Sequence, residues 1–180
     1  MGLEITAYEN LIITNNKKDK EFYFSEKTFE QEDRIIGECF VTYDDACGFS
    51  AGSYRNYNLF RNILCESINN LKDHELWELA VKDTEKAKSL PFYWLINFSD
   101  CDGYIGSSFC EILYKNFCDY EVVFKERIKD EYFISIYNEF KNAFELSKNN
   151  GIIIFHWFIF LIWNFMKNCD IIMIYLWISK

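Results

Sequence analysis

Three kinds of side chain that acyl transfer requires occur in this sequence in a recognisable chain order. Ser50 is the central residue of Gly48-Phe49-Ser50-Ala51-Gly52, which matches the G-x-S-x-G pattern of a nucleophile elbow. A candidate acid, Asp100 or Asp102, and a candidate base, His156, follow in the order found in α/β-hydrolases. The pattern therefore offers a small serine hydrolase as one hypothesis.

The surrounding sequence does not favour this hypothesis. A nucleophile elbow lies where a strand turns sharply into a helix within a sheet built from alternating strands and helices. Here the strand-like segments come first in the chain and the helical segments follow. We therefore predict that the protein is not an enzyme, and keep Ser50, Asp100, Asp102 and His156 only as the alternative catalytic set.

Asp100 and Asp102 also belong to a segment that resembles the second half of a calcium-binding EF-hand loop. Counted from Gly103 as position six, positions one and twelve are Phe98 and Phe109, which cannot bind calcium. We therefore predict no metal site, and no cofactor motif is evident. The segment is typical of a turn, and its two carboxylates are candidate contacts for a partner protein.

A second candidate contact surface lies near the start of the first helical segment. It contains Tyr54, Arg55, Tyr57 and Arg61, and Tyr and Arg are enriched among the residues that dominate protein–protein binding energy. In the alternative interpretation, the two arginines simply pair with some of the surplus carboxylates.

These residues must be positioned by strands in the N-terminal third and by helices in the rest of the chain. Alternation of apolar and polar residues predicts strands, and apolar spacings of three and four predict helices. A Ser-x-x-Glu capping box is expected to start the helix at Ser108, and Asn149-Asn150-Gly151 to end the last helix. Predicted strands cover residues 3–13, 22–24, 39–43, 49–53 and 152–155; predicted helices cover 59–68, a segment from Asp73 with Leu76 and Trp77 among its apolar residues, 109–124 and 133–144.

The charge of the chain restricts its partners. The 180 residues carry a formal net charge of −9 and a pI near 4.8. An acidic surface disfavours direct contact with nucleic acid or with an anionic membrane, and favours a basic protein partner. Solubility alone is the competing explanation of this charge.

The seven cysteines indicate a reducing compartment. No pair has the C-x-x-C spacing of a zinc or thioredoxin-type site. Their odd number, together with the lack of a secretory signal pattern, predicts reduced thiols and a cytoplasmic location.

Residues 157–180 differ in composition from the rest of the chain. Their apolar runs, 157–166 and 171–178, are separated by Lys167, Asn168 and Asp170, and neither run approaches the ~20 residues of a spanning helix. We predict a domain over 1–156 and an atypical hydrophobic tail over 157–180. A tail bound to a membrane and a tail packed on the domain both stay open.

Several segments resemble a group of small, acidic bacterial and prophage proteins. The resemblance spans about residues 1–156 and implies a mobile-element or inter-bacterial-conflict setting, without implying any catalytic residue. It is carried by Met1-Gly2-Leu3-Glu4-Ile5-Thr6-Ala7-Tyr8, Ala51-Gly52-Ser53-Tyr54, Pro91-Phe92-Tyr93, Asn97-Phe98-Ser99-Asp100-Cys101-Asp102-Gly103, Ala143-Phe144-Glu145 and Phe155-His156.

Taken together, the sequence predicts an α+β fold in which a small antiparallel sheet packs against three or four helices. The sheet is expected to combine strands of the N-terminal third with the strand near 152–155. The expected function is that of a non-enzymatic inhibitor or immunity-type factor. Its acidic surface would block a basic partner, such as a nuclease toxin or an RNA-guided (CRISPR) nuclease, and the Tyr54–Arg61 and Asp100–Asp102 segments would make contacts.

Overall fold

The alternating residues at the start of the chain form a strand at the centre of the main sheet. The computed structural model describes residues 2–14, 22–24, 39–98 and 103–157. Over these residues the protein has an α+β fold with a four-stranded antiparallel sheet, a smaller sheet and seven α-helices. The strands are β1 Gly2–Glu9, β2 Ile12–Thr14, β3 Phe22–Phe24, β4 Cys39–Thr42, β5 Asp45–Ser53, β6 Gly103–Gly106 and β7 Ile152–Trp157. The helices are α1 Tyr54–Leu64, α2 Asp73–Lys82, α3 Thr84–Lys88, α4 Tyr93–Ile96, α5 Ser107–Asp119, α6 Glu121–Arg127 and α7 Glu131–Ser147, and a π-helical turn, Cys65–Asn69, extends α1.

The main sheet has the strand order β5-β1-β7-β6, and its neighbours are antiparallel. Ile5 of β1 lies opposite Phe49 of β5 on one side and Phe155 of β7 on the other. Leu3, Ile5 and Ala7 are buried, while the residues between them are only half-buried. The period-two pattern of the sequence therefore selects which face of β1 meets the core.

The remaining strands form a separate three-stranded sheet with the order β2-β4-β3. The predicted α+β fold is thus confirmed, and the strand near 152–155 does pair with the N-terminal strand. The composition of the sheet differs from the prediction, because β2, β3 and β4 do not join β1. Strand β6, where the sequence predicted only a turn leading into a helix, completes the main sheet by pairing with β7.

Aromatic side chains fill the space between the main sheet and the helices. Phe140 of α7 lies at the centre of this core: its ring stacks on Phe60 with centroids 5.3 Å apart, and it meets Phe49 edge-on at 5.0 Å. Phe117 and Phe144 stack on each other at 5.6 Å in the same cluster. Much of the high aromatic content of the sequence therefore serves core packing, where such pairs add to the stability gained by burial.

The four predicted helical segments are helical in the structure, with two corrections, but the described residues contain seven α-helices rather than the predicted three or four. The capping box at Ser108 is wrong, because α5 begins at Ser107 and Gly106 occupies the N-cap position. The predicted helix over 109–124 is also divided: α5 ends at Asp119, and Tyr120 has non-helical backbone angles before α6 starts at Glu121.

The last helix ends where the sequence predicted, although the residue that turns the chain is different. Asn150 adopts the left-handed conformation, with φ 51°, while Gly151 has no positive φ. Gly151 is required for another reason: a Cβ there would lie 2.1 Å from the carbonyl oxygen of Tyr8 and 2.7 Å from the Cα of Ser147. The glycine allows the chain to pass between β1 and the end of α7.

Among the described helices, none is long and apolar enough to cross a membrane. The predicted tail starts at Trp157, the last residue of β7. The rest of the tail lies outside the described residues, as do Asp100 and Asp102.

Candidate functional site

The strand register separates the candidate nucleophile from the candidate base. Ser50 and His156 are both direct neighbours of Glu4, Ser50 from β5 and His156 from β7. Since β1 lies between them, their Cα atoms are about 9.5 Å apart, twice the usual strand spacing. The Ser50 hydroxyl instead accepts a hydrogen bond from the backbone N–H of Gly52 at 3.3 Å.

The elbow geometry is not present either. Ser50 lies within β5, next to an antiparallel strand, and the positive φ of this segment belongs to Gly52, at 77°. The structure therefore does not bring Ser50 and His156 together as a nucleophile–base pair, and the candidate acids are beyond the described residues.

Two members of the predicted contact surface on α1 are buried. Tyr57 is fully buried, and Arg61 is only 7% exposed. Both lie on the face of α1 that also carries the buried Phe60 and Leu64. Tyr57 and Arg61 therefore cannot contribute contact area to a partner in this conformation, which corrects the predicted surface.

Arg61 is held without a carboxylate partner in the described part of the chain. Its guanidinium donates hydrogen bonds to the backbone carbonyl of Ile96 and to the side-chain oxygen of Asn58. The guanidinium carbon, Cζ, lies 5.2 Å from the ring centroid of Tyr57. Within the described residues, its buried Nε has no hydrogen-bond partner. The expected pairing of Arg61 with a surplus carboxylate is therefore not found among the described residues.

Together these two side chains anchor the segment that leads to Asp100. The Tyr57 hydroxyl donates to the carbonyl of Phe98 at 2.9 Å, next to the Arg61 bond to Ile96. From the other side, Asn116 of α5 accepts the N–H of Phe92, which has a positive φ of 61°. Two buried hydrogen bonds and one partly buried bond thus hold the segment around the only proline, as far as Phe98.

Tyr54 and Arg55 remain on the surface. Tyr54 is 43% exposed, Arg55 is exposed, and no ion pair involves Arg55 within the described residues. Tyr132, from the start of α7, lies beside this end of α1: its hydroxyl donates to the carbonyl of Ala51 and accepts from Asn56, both at 3.3 Å. No sequence pattern indicates Tyr132, because only the fold brings it next to residues 51–56.

A further exposed apolar surface lies on α2. Trp77 is 63% exposed and Val81 is 68% exposed, and the spacing of four residues puts them on one face of the helix. The apolar pattern of the sequence groups Trp77 with Leu76, but only Leu76 is buried. Hereafter the α2 surface means Asp73, Trp77, Glu78 and Val81.

Carboxylates border this apolar pair. Asp73 precedes Trp77 by one helical turn, and Glu78 follows it directly; both are exposed. Helix α2 carries Asp73, Glu75 and Glu78 against a single basic residue, Lys82. Lys82 lies 3.4 Å from Glu78, and such an exposed pair contributes little stability. The α2 surface therefore presents an aromatic side chain in a negatively charged surrounding.

A second acidic region follows the exposed side of α7. Glu131, Glu139 and Glu145 are exposed there. The pKa of the Cys47 thiol on β5 is raised by partial burial and by the negative charges of Asp45 and Glu139. The thiol is therefore kept in its neutral form, which is a poor nucleophile. The structure thus shows acidic surface on both α2 and α7.

Comparison with known proteins adds no assignment. No protein-family model matches the chain, and neither curated proteins nor solved structures give a match. In the described ranges, no group of three His, Cys, Asp or Glu side chains is placed to hold a metal ion. The resemblance to prophage proteins stays a prediction.

Proposed function

We propose that this protein is a non-enzymatic, cytoplasmic binding protein that inhibits a basic protein partner, as an inhibitor or immunity-type factor does. A nuclease toxin or an RNA-guided nuclease is the class of partner that fits best, because an enzyme that binds nucleic acid carries a basic cleft. The resemblance to prophage proteins fits the same setting of genetic conflict. The α2 surface is the contact that we assign to this partner.

The observation that carries the proposal is the exposure of Trp77 and Val81 on one helical face. Isolated surface apolar residues are common, but tryptophan is the residue type most enriched among binding hot spots. A partner that covers Trp77 would bury the exposed part of this large aromatic side chain, which favours binding. The exposed Trp77 therefore offers an anchor, with Val81 enlarging the apolar contact.

Charge supports the proposed chemistry of the partner. Asp73 and Glu78 border the apolar pair, and the chain as a whole carries a net charge of −9. A basic partner would be attracted over a distance of about one Debye length, roughly 8–10 Å at physiological salt. Charge complementarity of this kind speeds association and excludes acidic competitors.

The first experiment is a pull-down from the native host with the full chain, at low and at high salt. The wild type is compared with Trp77→Ala and with Val122→Ala, which removes a similarly exposed apolar side chain (67%) from α6. We expect a basic nuclease to be retained by the wild type and by Val122→Ala at low salt, and to be lost at high salt. Trp77→Ala should weaken binding by about 2 kcal/mol, which is more than tenfold in Kd.

The recovered nuclease is then purified and assayed with and without the wild-type protein. Inhibition that disappears with Trp77→Ala supports the proposal, provided that the variant unfolds at the same denaturant concentration as the wild type. Binding that does not depend on salt, or the recovery of no basic protein, contradicts it. Equal binding by Trp77→Ala and wild type would exclude the α2 surface as the contact.

A further inference from the structure

Asn150 and Gly151 form the only Asn-Gly pair in the sequence. In such a pair the backbone nitrogen of the glycine can attack the side-chain carbonyl carbon of the asparagine, because glycine has no side chain to hinder the approach. Asparagine is accordingly counted among the thermolabile residues. The pair lies in the turn between α7 and β7, just before Ile152 of β7 pairs with Tyr8 of β1. A reaction here would therefore alter the backbone directly ahead of a strand of the main sheet.

The fold accounts for each member of this pair separately. Asn150 has a φ of 51°, in the left-handed region that asparagine tolerates better than most residues. Gly151 is fixed by space, because a Cβ there would collide with the carbonyl oxygen of Tyr8 and with the backbone of Ser147. Two independent requirements of the turn therefore create one chemically reactive pair.

In the folded protein, hydrogen bonds hold both of the reacting groups. The N–H of Gly151, whose nitrogen is the attacking atom, donates to the carbonyl of Ser147 at 3.1 Å. The Nδ2 of Asn150 donates to the carbonyl of Leu11 at 2.9 Å and to the Oδ1 of Asn10 at 3.3 Å. Attack requires the Gly151 nitrogen to lose its proton and the Asn150 amide to rotate towards it, so these bonds must break first. The reaction is therefore expected only after the turn opens.

The products of the reaction cannot remake these bonds. The carbonyl of Leu11 and the Oδ1 of Asn10 are acceptors, and an ionised carboxylate at position 150 can only accept as well. The other end of the Asn10 amide donates to Asp44 at 2.6 Å, so the new charge would join a turn that already carries a negative charge. An isoaspartate would also add a carbon to the backbone just before β7. Both products therefore oppose the pairing of β7 with β1.

We propose that the Asn150-Gly151 pair is a deamidation site controlled by opening of the α7–β7 turn, and that the reaction prevents an opened molecule from refolding. Hydroxide removes the proton from the Gly151 nitrogen, which attacks the Cγ of Asn150; the Cγ–Nδ2 bond then breaks and ammonia leaves. Water opens the resulting cyclic imide at either carbonyl and gives aspartate or isoaspartate. The reaction involves no residue of the α2 surface, so this proposal and the proposed function can fail separately.

The first test compares deamidation of the full chain at mildly alkaline pH with and without denaturing guanidinium chloride. Proteolytic digestion and mass spectrometry locate the replacement of NH by O, and chromatography separates isoaspartate from aspartate. We expect Asn150 to react at least about tenfold more slowly in native buffer than in denaturant. Asn70 also has a positive φ but precedes a leucine, so it should react far more slowly than Asn150 in denaturant. Equal rates for Asn150 in the two conditions would overturn the proposal.

Variants test the consequence for folding. Asn150→Asp reproduces one product and should unfold at a lower denaturant concentration than Asn149→Asp, which adds the same charge at the exposed neighbouring residue.

Asn150→Gly removes the reactive amide, and glycine adopts a positive φ readily, so this variant should fold. After long incubation in denaturant it should keep its refolding yield, whereas the wild type should lose refoldable protein at the rate at which Asn150 reacts. Equal losses of refolding yield by Asn150→Gly and the wild type would overturn the proposal. Equal stabilities of Asn150→Asp and Asn149→Asp would overturn it as well.

Discussion

At the residue scale, two arginines six positions apart on α1 have different roles. Arg55 is exposed, whereas Arg61 is buried beside Tyr57 and bonds to the carbonyl of Ile96. The sequence alone suggested that both were surface residues, because arginine is almost never buried without a partner. The position of Arg61 in the sequence does indicate its burial. Arg61 comes four residues after Tyr57 and three before Leu64, and both of these lie on the buried stripe of the helix.

This difference predicts unequal effects of truncation. Arg61→Ala should lower the free energy of unfolding by about 1–3 kcal/mol, because the buried carbonyl of Ile96 loses its donor. Arg55→Ala should change it by less than about 0.5 kcal/mol, as is usual at exposed sites. Urea unfolding followed by circular dichroism measures both. Similar losses for the two variants would show that Arg61 has no special role in stability.

At the element scale, the turn between α7 and β7 shows a requirement that is easily misassigned. The Asn-Asn-Gly sequence suggests a glycine with positive φ, but Asn150 takes that conformation. Gly151 is needed because Tyr8 of β1 and Ser147 of α7 approach it closely from two sides. The absence of a side chain at this position lets β7 pair with β1 directly after the helix.

We therefore expect Gly151→Ala to destabilise the fold by about 1–3 kcal/mol, the usual range for overpacking. The added methyl group must displace backbone atoms, which lie 2.1–2.8 Å from the position of its Cβ. Gly48→Ala is the matched control, because its Cβ has room, and its effect should stay within about 0.5 kcal/mol. Thermal and urea unfolding of the two variants provide the comparison. Equal stabilities would contradict the packing argument.

An ion-pair network joins α6 to α7. Glu121 accepts hydrogen bonds from Lys125 on its own helix and from Lys141 of α7, the latter at 2.6 Å. These lysines, Lys125 first, hold the pKa of the Glu121 carboxyl below its usual range. A carboxyl whose pKa is lower in the folded state contributes stability above its unfolded pKa of about 4.3, and this contribution is lost as the pH falls.

Glu121→Gln should accordingly be less stable than the wild type near neutral pH, and the difference should shrink as the pH drops below about 4. The measurement is the free energy of unfolding in urea at a series of pH values. Glu126→Gln is the control, since Glu126 lies on the same helix and forms no ion pair with the described residues. A difference between Glu121→Gln and the wild type that does not change with pH would rule out this linkage.

At the scale of the whole molecule, charge and exposed apolar area are distributed over different elements. The α2 surface combines Trp77 and Val81 with carboxylates, and a second acidic region lies on α7. We assign the α2 surface to a basic partner. Rising salt should slow association at the α2 surface, because screening removes the steering of a basic partner. Stopped-flow mixing with the recovered partner measures this rate, and a rate independent of salt would contradict the assignment.

Local sequence patterns determined the elements of this protein. The alternation of Leu3, Ile5 and Ala7 predicted β1, and the apolar spacing of Phe133, Ile136 and Phe140 predicted α7. Both patterns reflect a backbone period of two or 3.6 residues, which neighbouring residues determine by themselves. The net charge of −9 is likewise a property of the sequence alone.

Tertiary structure decided which of these residues meet. It separated Ser50 from His156 across β1, placed Arg61 inside and Trp77 outside, and brought Tyr132 next to Ala51. None of these outcomes follows from a local period, because a helix or strand pattern does not say which other element will cover a given face. Strand order and helix packing depend on contacts between residues far apart in the chain, and these contacts determine the surface available to a partner.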